Sequence, residues 1–200
     1  MNYTRLTKGV YYFDNVLSDG MHQTIHNTIM NEPFSLTSRP GSVEIFESKN
    51  IFLIGVFMMM RENIFNYIYA DDTDISNGFY YNPSQIDFLN ILAKGPQHKG
   101  MSHFHTDNND KLQFSIIYYP HLAWNDSWDG ELRIGNKFTI HPNPNSAVVF
   151  PSHIPHCIQP VNESAESWRL TCFFRISNTV SGWNNLSLDL ISGAFENKGD

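Results

Sequence analysis

Four side chains in this chain can do chemistry together: His105, Asp107, His156 and Arg169. The first two flank a single threonine in M-S-H-F-H-T-D. On an extended strand, residues i and i+2 project from the same face, so His105 and Asp107 point into one space and can reach one ion. A third ligand must come from elsewhere, and His156 in F-P-S-H-I-P-H-C-I-Q-P-V offers it. Two imidazoles and one carboxylate suit a ferrous ion with open positions left for reactants, whereas thiolates would favour zinc or iron–sulfur chemistry. Further on, W-R-L-T places Arg169 and Thr171 on one face of an apolar strand. A guanidinium there can hold a carboxylate through two parallel hydrogen bonds. Together the residues predict an oxygen-using iron site beside an anchor for a dicarboxylate cosubstrate.

Something must position these groups, and the surrounding pattern predicts strands. Val10 to Val16 reads as a first strand, followed by a helix capped by Ser18 or Asp19 and running to about Met30. His22 and His26 stand four apart on that helix and are expected on its solvent face. V-E-I-F-E at 43–47 alternates like a strand, while residues 51–69 read equally as strand or helix. From Ile86 onward short strands alternate with turns: 86–93, 102–107, 112–119, 131–134 with 137–140 across Gly135-Asn136, 147–151, 157–161 and 169–176. That spacing suggests a sandwich or jelly roll. The whole chain reads as one domain: a strand-and-helix support region over 1–85, a core over 86–176 and a polar tail over 177–200. Residues 33–50, 71–85 and 94–100 are the candidate lids.

Composition narrows the partners. A net charge of −7 gives no basic footprint for nucleic acid. No apolar leader opens the chain, and the longest apolar stretch, Ile51 to Met60, is short for a membrane span. A cytoplasmic protein is expected, with no membrane partner. The two cysteines, Cys157 and Cys172, suggest small buried hydrophobes and no disulfide framework.

Read together, H-T-D, the G-E-L segment after Trp124 and Trp128, F-P-S-x-x-P-H-x-x-x-P-V and R-x-T resemble the prolyl-4-hydroxylase-like branch of the iron(II)/2-oxoglutarate oxygenases. The opening F-D-N-V-L-S-D also looks like the start of that domain, and the likeness is strongest from Phe88 to Ile176. The resemblance implies a mainly β fold with flanking helices, built on a double-stranded β-helix of jelly-roll or cupin-like type. It implies Fe(II) on His105, Asp107 and His156, with 2-oxoglutarate on Arg169 and Thr171. Tyr118, the residue assigned here, or its neighbour Tyr119 would line the same pocket. O2 is the third reactant, and ascorbate an optional reductant. His103, Trp124 and Trp128 are candidates for the substrate side.

Several residues depart from the family pattern. The gap from His156 to Arg169 is long, with 162–167 as an enlarged loop, so Arg175 is the alternative anchor. The strand before H-T-D carries Ala93-Lys94 where some members have a tyrosine; Lys94 and Lys111 read as solvated, and His98, His121 and His141, in loops or at strand ends, as surface residues. Asp107 argues against a halogenase, which would need a small residue there. The expected activity is hydroxylation of an unactivated C–H bond, of a prolyl residue in a protein or peptide. The same chemistry on a free amino acid or small metabolite is one alternative, and an inactive jelly-roll scaffold is another.

Overall fold

The computed structural model describes residues 1–36, 41–45, 48–71, 88–95, 101–107 and 113–177. Its strands are β1 (Asn2–Thr7), β2 (Val10–Asp14), β3 (Ser35–Leu36), β4 (Ser42–Ile45), β5 (Phe88–Lys94), β6 (Met101–His105), β7 (Gln113–Tyr119), β8 (Leu132–Ile134), β9 (Phe138–Ile140), β10 (Ser146–Pro151), β11 (His156–Ile158) and β12 (Arg169–Ser177). Among the described residues two α-helices, α1 (Asp19–Met30) and α2 (Ile51–Asp71), accompany the strands. Eight strands form one antiparallel sheet in the order β1-β2-β10-β7-β12-β5-β4-β3, and four form a second in the order β6-β11-β8-β9. The fold is mostly β with two helices, around a jelly-roll core.

Alternation along the strands sorts the side chains into two cores. Phe114, Ile116 and Tyr118 of β7 face the helices, together with Ala147, Val149, Cys172 and Phe174. Ile117 and Tyr119 face the smaller sheet, with Val148, Phe150, Leu132, Ile134 and Ile158. Each fully buried side chain of this size contributes about 1.5–3 kcal/mol.

The segment that read two ways, 51–69, is one helix. Asn50 accepts hydrogen bonds from the N–H groups of Phe52 and Leu53 at its start. Leu53, Val56, Phe57, Met60, Ile64, Phe65 and Ile68 then recur at helical spacing and are buried. This helix is long and apolar enough to match a membrane span by length and composition, more than the Ile51–Met60 stretch suggested. In the fold those residues pack in the same core as the large sheet.

Other local expectations were altered. Asn2–Thr7 forms a strand that the pattern did not announce, pairing with β2. Ser42–Ile45 pairs with β5, so this part of the 33–50 lid candidate belongs to the sheet. The β8–β9 turn holds three residues, because Ile134 faces Phe138. His22 is buried, not solvated: its Nε2 and the Nδ1 of His26 both lie within hydrogen-bond distance of the Pro120 carbonyl, at 3.2 and 3.1 Å. The lid candidates over 72–85 and 96–100, Lys111, and the tail from 178 lie outside the described residues.

Asn145 ties the support region to the core. It takes the left-handed conformation, φ 56°, which asparagine tolerates. Its side chain accepts from Leu17 N and donates to Leu17 O, at 3.0 and 2.8 Å. The Tyr118 hydroxyl donates to the same Oδ1.

Candidate active site

Strand pairing brings the two histidines together. His156 of β11 sits directly opposite His105 of β6, so their side chains share a face. Their ring centroids lie 4.4 Å apart. Asp107 follows β6, and its backbone N–H donates to Ser152 O at 3.0 Å. One ligand atom from each of His105, Asp107 and His156 lies within 4.8 Å of the others. His156 is almost fully buried, and its Nδ1 lies 3.0 Å from the Ile154 carbonyl. That contact needs a proton on Nδ1, which leaves the Nε2 lone pair for a metal. Nε2 faces Asp107 Oδ1 at 3.4 Å.

Burial pushes the Asp107 carboxyl up, but His156, the Ser115 hydroxyl and His105 outweigh it and hold the group below its ordinary range. An ionised carboxylate beside two imidazoles, with no thiolate in reach, is a donor set that fits Fe(II).

Arg169 is fully buried on the face of β12 that meets the small sheet. Its Nε donates to Gly130 O at 2.7 Å, one terminal nitrogen to Thr171 Oγ at 2.6 Å, and the other to the Tyr119 hydroxyl at 3.2 Å. Of its five N–H groups, one on each terminal nitrogen is left, among the described residues, for an incoming carboxylate. Thr171 and Tyr119 accept from Arg169, so their own hydroxyl protons can point to the same ligand. Burial raises the Tyr119 pKa against the opposing pull of Arg169, so the phenol stays a donor. Gly130 makes the close approach workable: its φ is +79°, and a Cβ would lie 3.1 Å from Arg169 Cδ.

Three expectations for this pocket need correcting. Tyr118 does not line it; strand alternation turns Tyr118 toward the helices and brings Tyr119 to Arg169. Lys94 is not solvated but 1% exposed, directly opposite Arg169 in the β5–β12 pairing. Arg175 does not take the anchor position: it donates to the backbone carbonyl of Asp107 at 3.3 Å, at the metal end of the same strand.

The substrate-side candidates divide. His103 is exposed on β6. Trp124 and Trp128 pack edge to face at 5.3 Å, and the Trp124 indole donates to Asp129 O. They stand beside Gly130, which bonds to Pro160, four residues past His156, or about 13 Å along a strand. These tryptophans therefore pack at the Arg169 end.

Sequence reasoning also missed His121, expected on the surface. It is buried between Tyr119 and Trp124, with ring centroids at 5.9 and 5.1 Å, and it bonds to the Pro142 carbonyl. Burial depresses its pKa to about 3. The unfolded chain binds this proton near pH 6.5 and the native one does not until about pH 3. Stability therefore falls as pH drops through that window, by up to about 1.4 kcal/mol per unit. Denaturant unfolding at pH 7 and pH 5 should show a smaller acid loss in His121→Gln than in the wild type. Equal losses would refute this role.

Two histidines and one carboxylate that could hold a metal, in one jelly roll with a buried arginine that could take a carboxylate, are what an oxygenase with a keto-acid cosubstrate needs. Residues 89–175 match the family model of the 2OG-Fe(II) oxygenase superfamily. Enzymes of that superfamily use Fe(II), 2-oxoglutarate and O2, and the donor set of His105, Asp107 and His156 fits such a metal. Solved structures agree on the fold. A prolyl-4-hydroxylase from Pseudomonas putida aligns with a TM-score of 0.61 at 13% identity, over 86% of this chain and 94% of its own. A prolyl hydroxylase from Trichoplax adhaerens, in complex with a hypoxia-inducible-factor peptide fragment, gives 0.61 at 16%, over 86% and 84%. HygX from Streptomyces hygroscopicus, with nickel and 2-oxoglutarate bound, gives 0.65 at 8%, over 86% and 83%. No curated protein sequence matches the chain.

Proposed function

We propose that this protein hydroxylates an unactivated C–H bond of a prolyl residue in a protein or peptide. The observation that carries the prolyl reading is the fold-wide likeness to prolyl hydroxylases, one of them holding a peptide. The reaction consumes C–H, O2 and 2-oxoglutarate, and gives C–OH, succinate and CO2. Iron, when bound, supplies the oxygen activation and the oxidising power. His105, Asp107 and His156 would hold it, one ligand atom each. Arg169, with Tyr119 and Thr171 bonded to it, would hold the far carboxylate of 2-oxoglutarate and so orient the cosubstrate. The His121–Trp124 stack behind Tyr119 keeps water from that anchor.

A small-molecule substrate is the second reading, supported by HygX, whose fold is shared and whose structure also exists with hygromycin B bound. The test is incubation with Fe(II), 2-oxoglutarate and ascorbate against proline-containing peptides, their proline-free counterparts and free amino acids. Gain of one oxygen mass on proline-containing peptides alone, matched by succinate, is expected. Oxygen gain confined to a free small molecule would replace the prolyl reading with the second one.

A further inference from the structure

Asp107 is the one metal-ligand candidate with two equivalent donor atoms, and the fold treats them unequally. Oδ1 faces His156 Nε2 at 3.4 Å, on the side of the imidazoles. Oδ2 is bonded to the Ser115 hydroxyl at 2.6 Å. Ser115 Oγ lies a further 2.8 Å from Ser152 Oγ, and both serines are fully buried. An ionised carboxylate only accepts, so the direction of the chain is fixed. Ser152 donates to Ser115, and Ser115 donates to Asp107. Each bond in such a chain polarises the next and strengthens it. The backbone is fastened at the same place: Asp107 N donates to Ser152 O, and Arg175 donates to Asp107 O.

We propose that Ser115, backed by Ser152, is a positioning residue that holds Asp107 to a one-oxygen grip on the metal. This rests on the metal and cosubstrate reading above and deepens it. A six-coordinate ion held by three protein atoms keeps three positions, enough for both ends of a keto acid and for O2. A carboxylate that closed on the ion with both oxygens would fill a fourth and displace a reactant. A hydroxyl is the smallest group that can occupy Oδ2 with a strong charge-assisted bond inside a packed sheet. The neighbouring face positions on β7 are Ile117 and Tyr119, so Ser115 is the polar gap in an otherwise bulky row.

The experiment uses the full chain with Mn(II) alone, then with 2-oxoglutarate. Metal-minus-apo infrared difference spectra of protein labelled at the aspartate carboxyl carbon read the splitting between the two carboxylate stretches. That splitting is wide for a one-oxygen ligand and narrow for a two-oxygen one. Wild type and Ser115→Thr should give the wide splitting, and Ser115→Ala the narrow one. Ser115→Ala should bind Mn(II) within about threefold of wild type while its 2-oxoglutarate affinity falls by about tenfold. A loosened, merely structural defect would instead weaken both together. A narrow splitting in the wild type, or a wide one retained in Ser115→Ala, overturns the proposal, and the first needs no variant to fold. A wild type that binds Mn(II) with the wide splitting but ignores 2-oxoglutarate would sink the cosubstrate reading and leave the Ser115 assignment standing. Failure to bind Mn(II) at all would remove both.

Discussion

Arg169→Ala should abolish useful 2-oxoglutarate binding, weakening it by about 100-fold. Removing one partner of a buried, hydrogen-bonded charge pair costs roughly 2–5 kcal/mol. Here the loss is compounded, because Thr171 and Tyr119 take their orientation from the guanidinium. Arg169→Lys keeps the charge but not the fork, and should fall between the two. The measurement is an anaerobic titration of the Fe(II) protein, following the visible charge-transfer band of the iron–keto-acid chelate. Arg175→Ala separates the two arginines: it bonds the Asp107 backbone and lies outside the anchor, so any loss should fall on the metal and stay well short of that in Arg169→Ala. The opposite pattern, with Arg175→Ala losing the band and Arg169→Ala keeping it, would move the anchor to the other arginine.

His156→Ala should have the larger effect on the metal itself. Outer partners of metal ligands alone change affinity by 10–100-fold, and His156 is a proposed ligand with a fixed tautomer. Its ring is held by the Ile154 carbonyl, lies against Phe150 at 4.8 Å and stacks near His105. We expect Mn(II) or Fe(II) affinity to drop by more than about 100-fold, turnover to fall below detection, and the chelate band to vanish. His153→Ala should retain all three, since the ring opposite His105 is that of His156. Metal binding unchanged in His156→Ala would dismiss the cluster as an iron site.

How much of this was legible differs from one residue to the next. H-T-D and P-H carried the cluster because strand geometry needs only one residue between two ligands, and the β6–β11 register then closes the group. The choice between Tyr118 and Tyr119 had a signal that was not used. In Q-F-S-I-I-Y-Y, Ser115 is the small polar residue inside a row of bulky apolar and aromatic ones, and Tyr119 shares its parity while Tyr118 does not. Helix α2 was ambiguous because Ile51–Ile54 is apolar, with β-branched Ile51 and Ile54 and aromatic Phe52 favouring a strand locally; the Asn50 cap and the buried spacing through Ile68 override it. Lys94 and His121 were misjudged for a different reason. Burial of a charged or polar side chain is set by what crosses it from another strand, and no local pattern reports that the partner of Lys94 is Arg169.

The burial of Arg169 has a consequence for the protein's survival. Its hydrogen-bond partners in the described fold are neutral groups, a carbonyl and two hydroxyls, so the cation sits in the interior with no carboxylate bonded to it. Burial lowers its pKa, which marks the strain of keeping that charge out of water. A dicarboxylate that enters relieves it, and a ligand at 100 times its Kd adds about 2.7 kcal/mol to the native state. The folded lifetime of this protein, and with it resistance to heat and to proteases, would then rise and fall with the supply of its own cosubstrate.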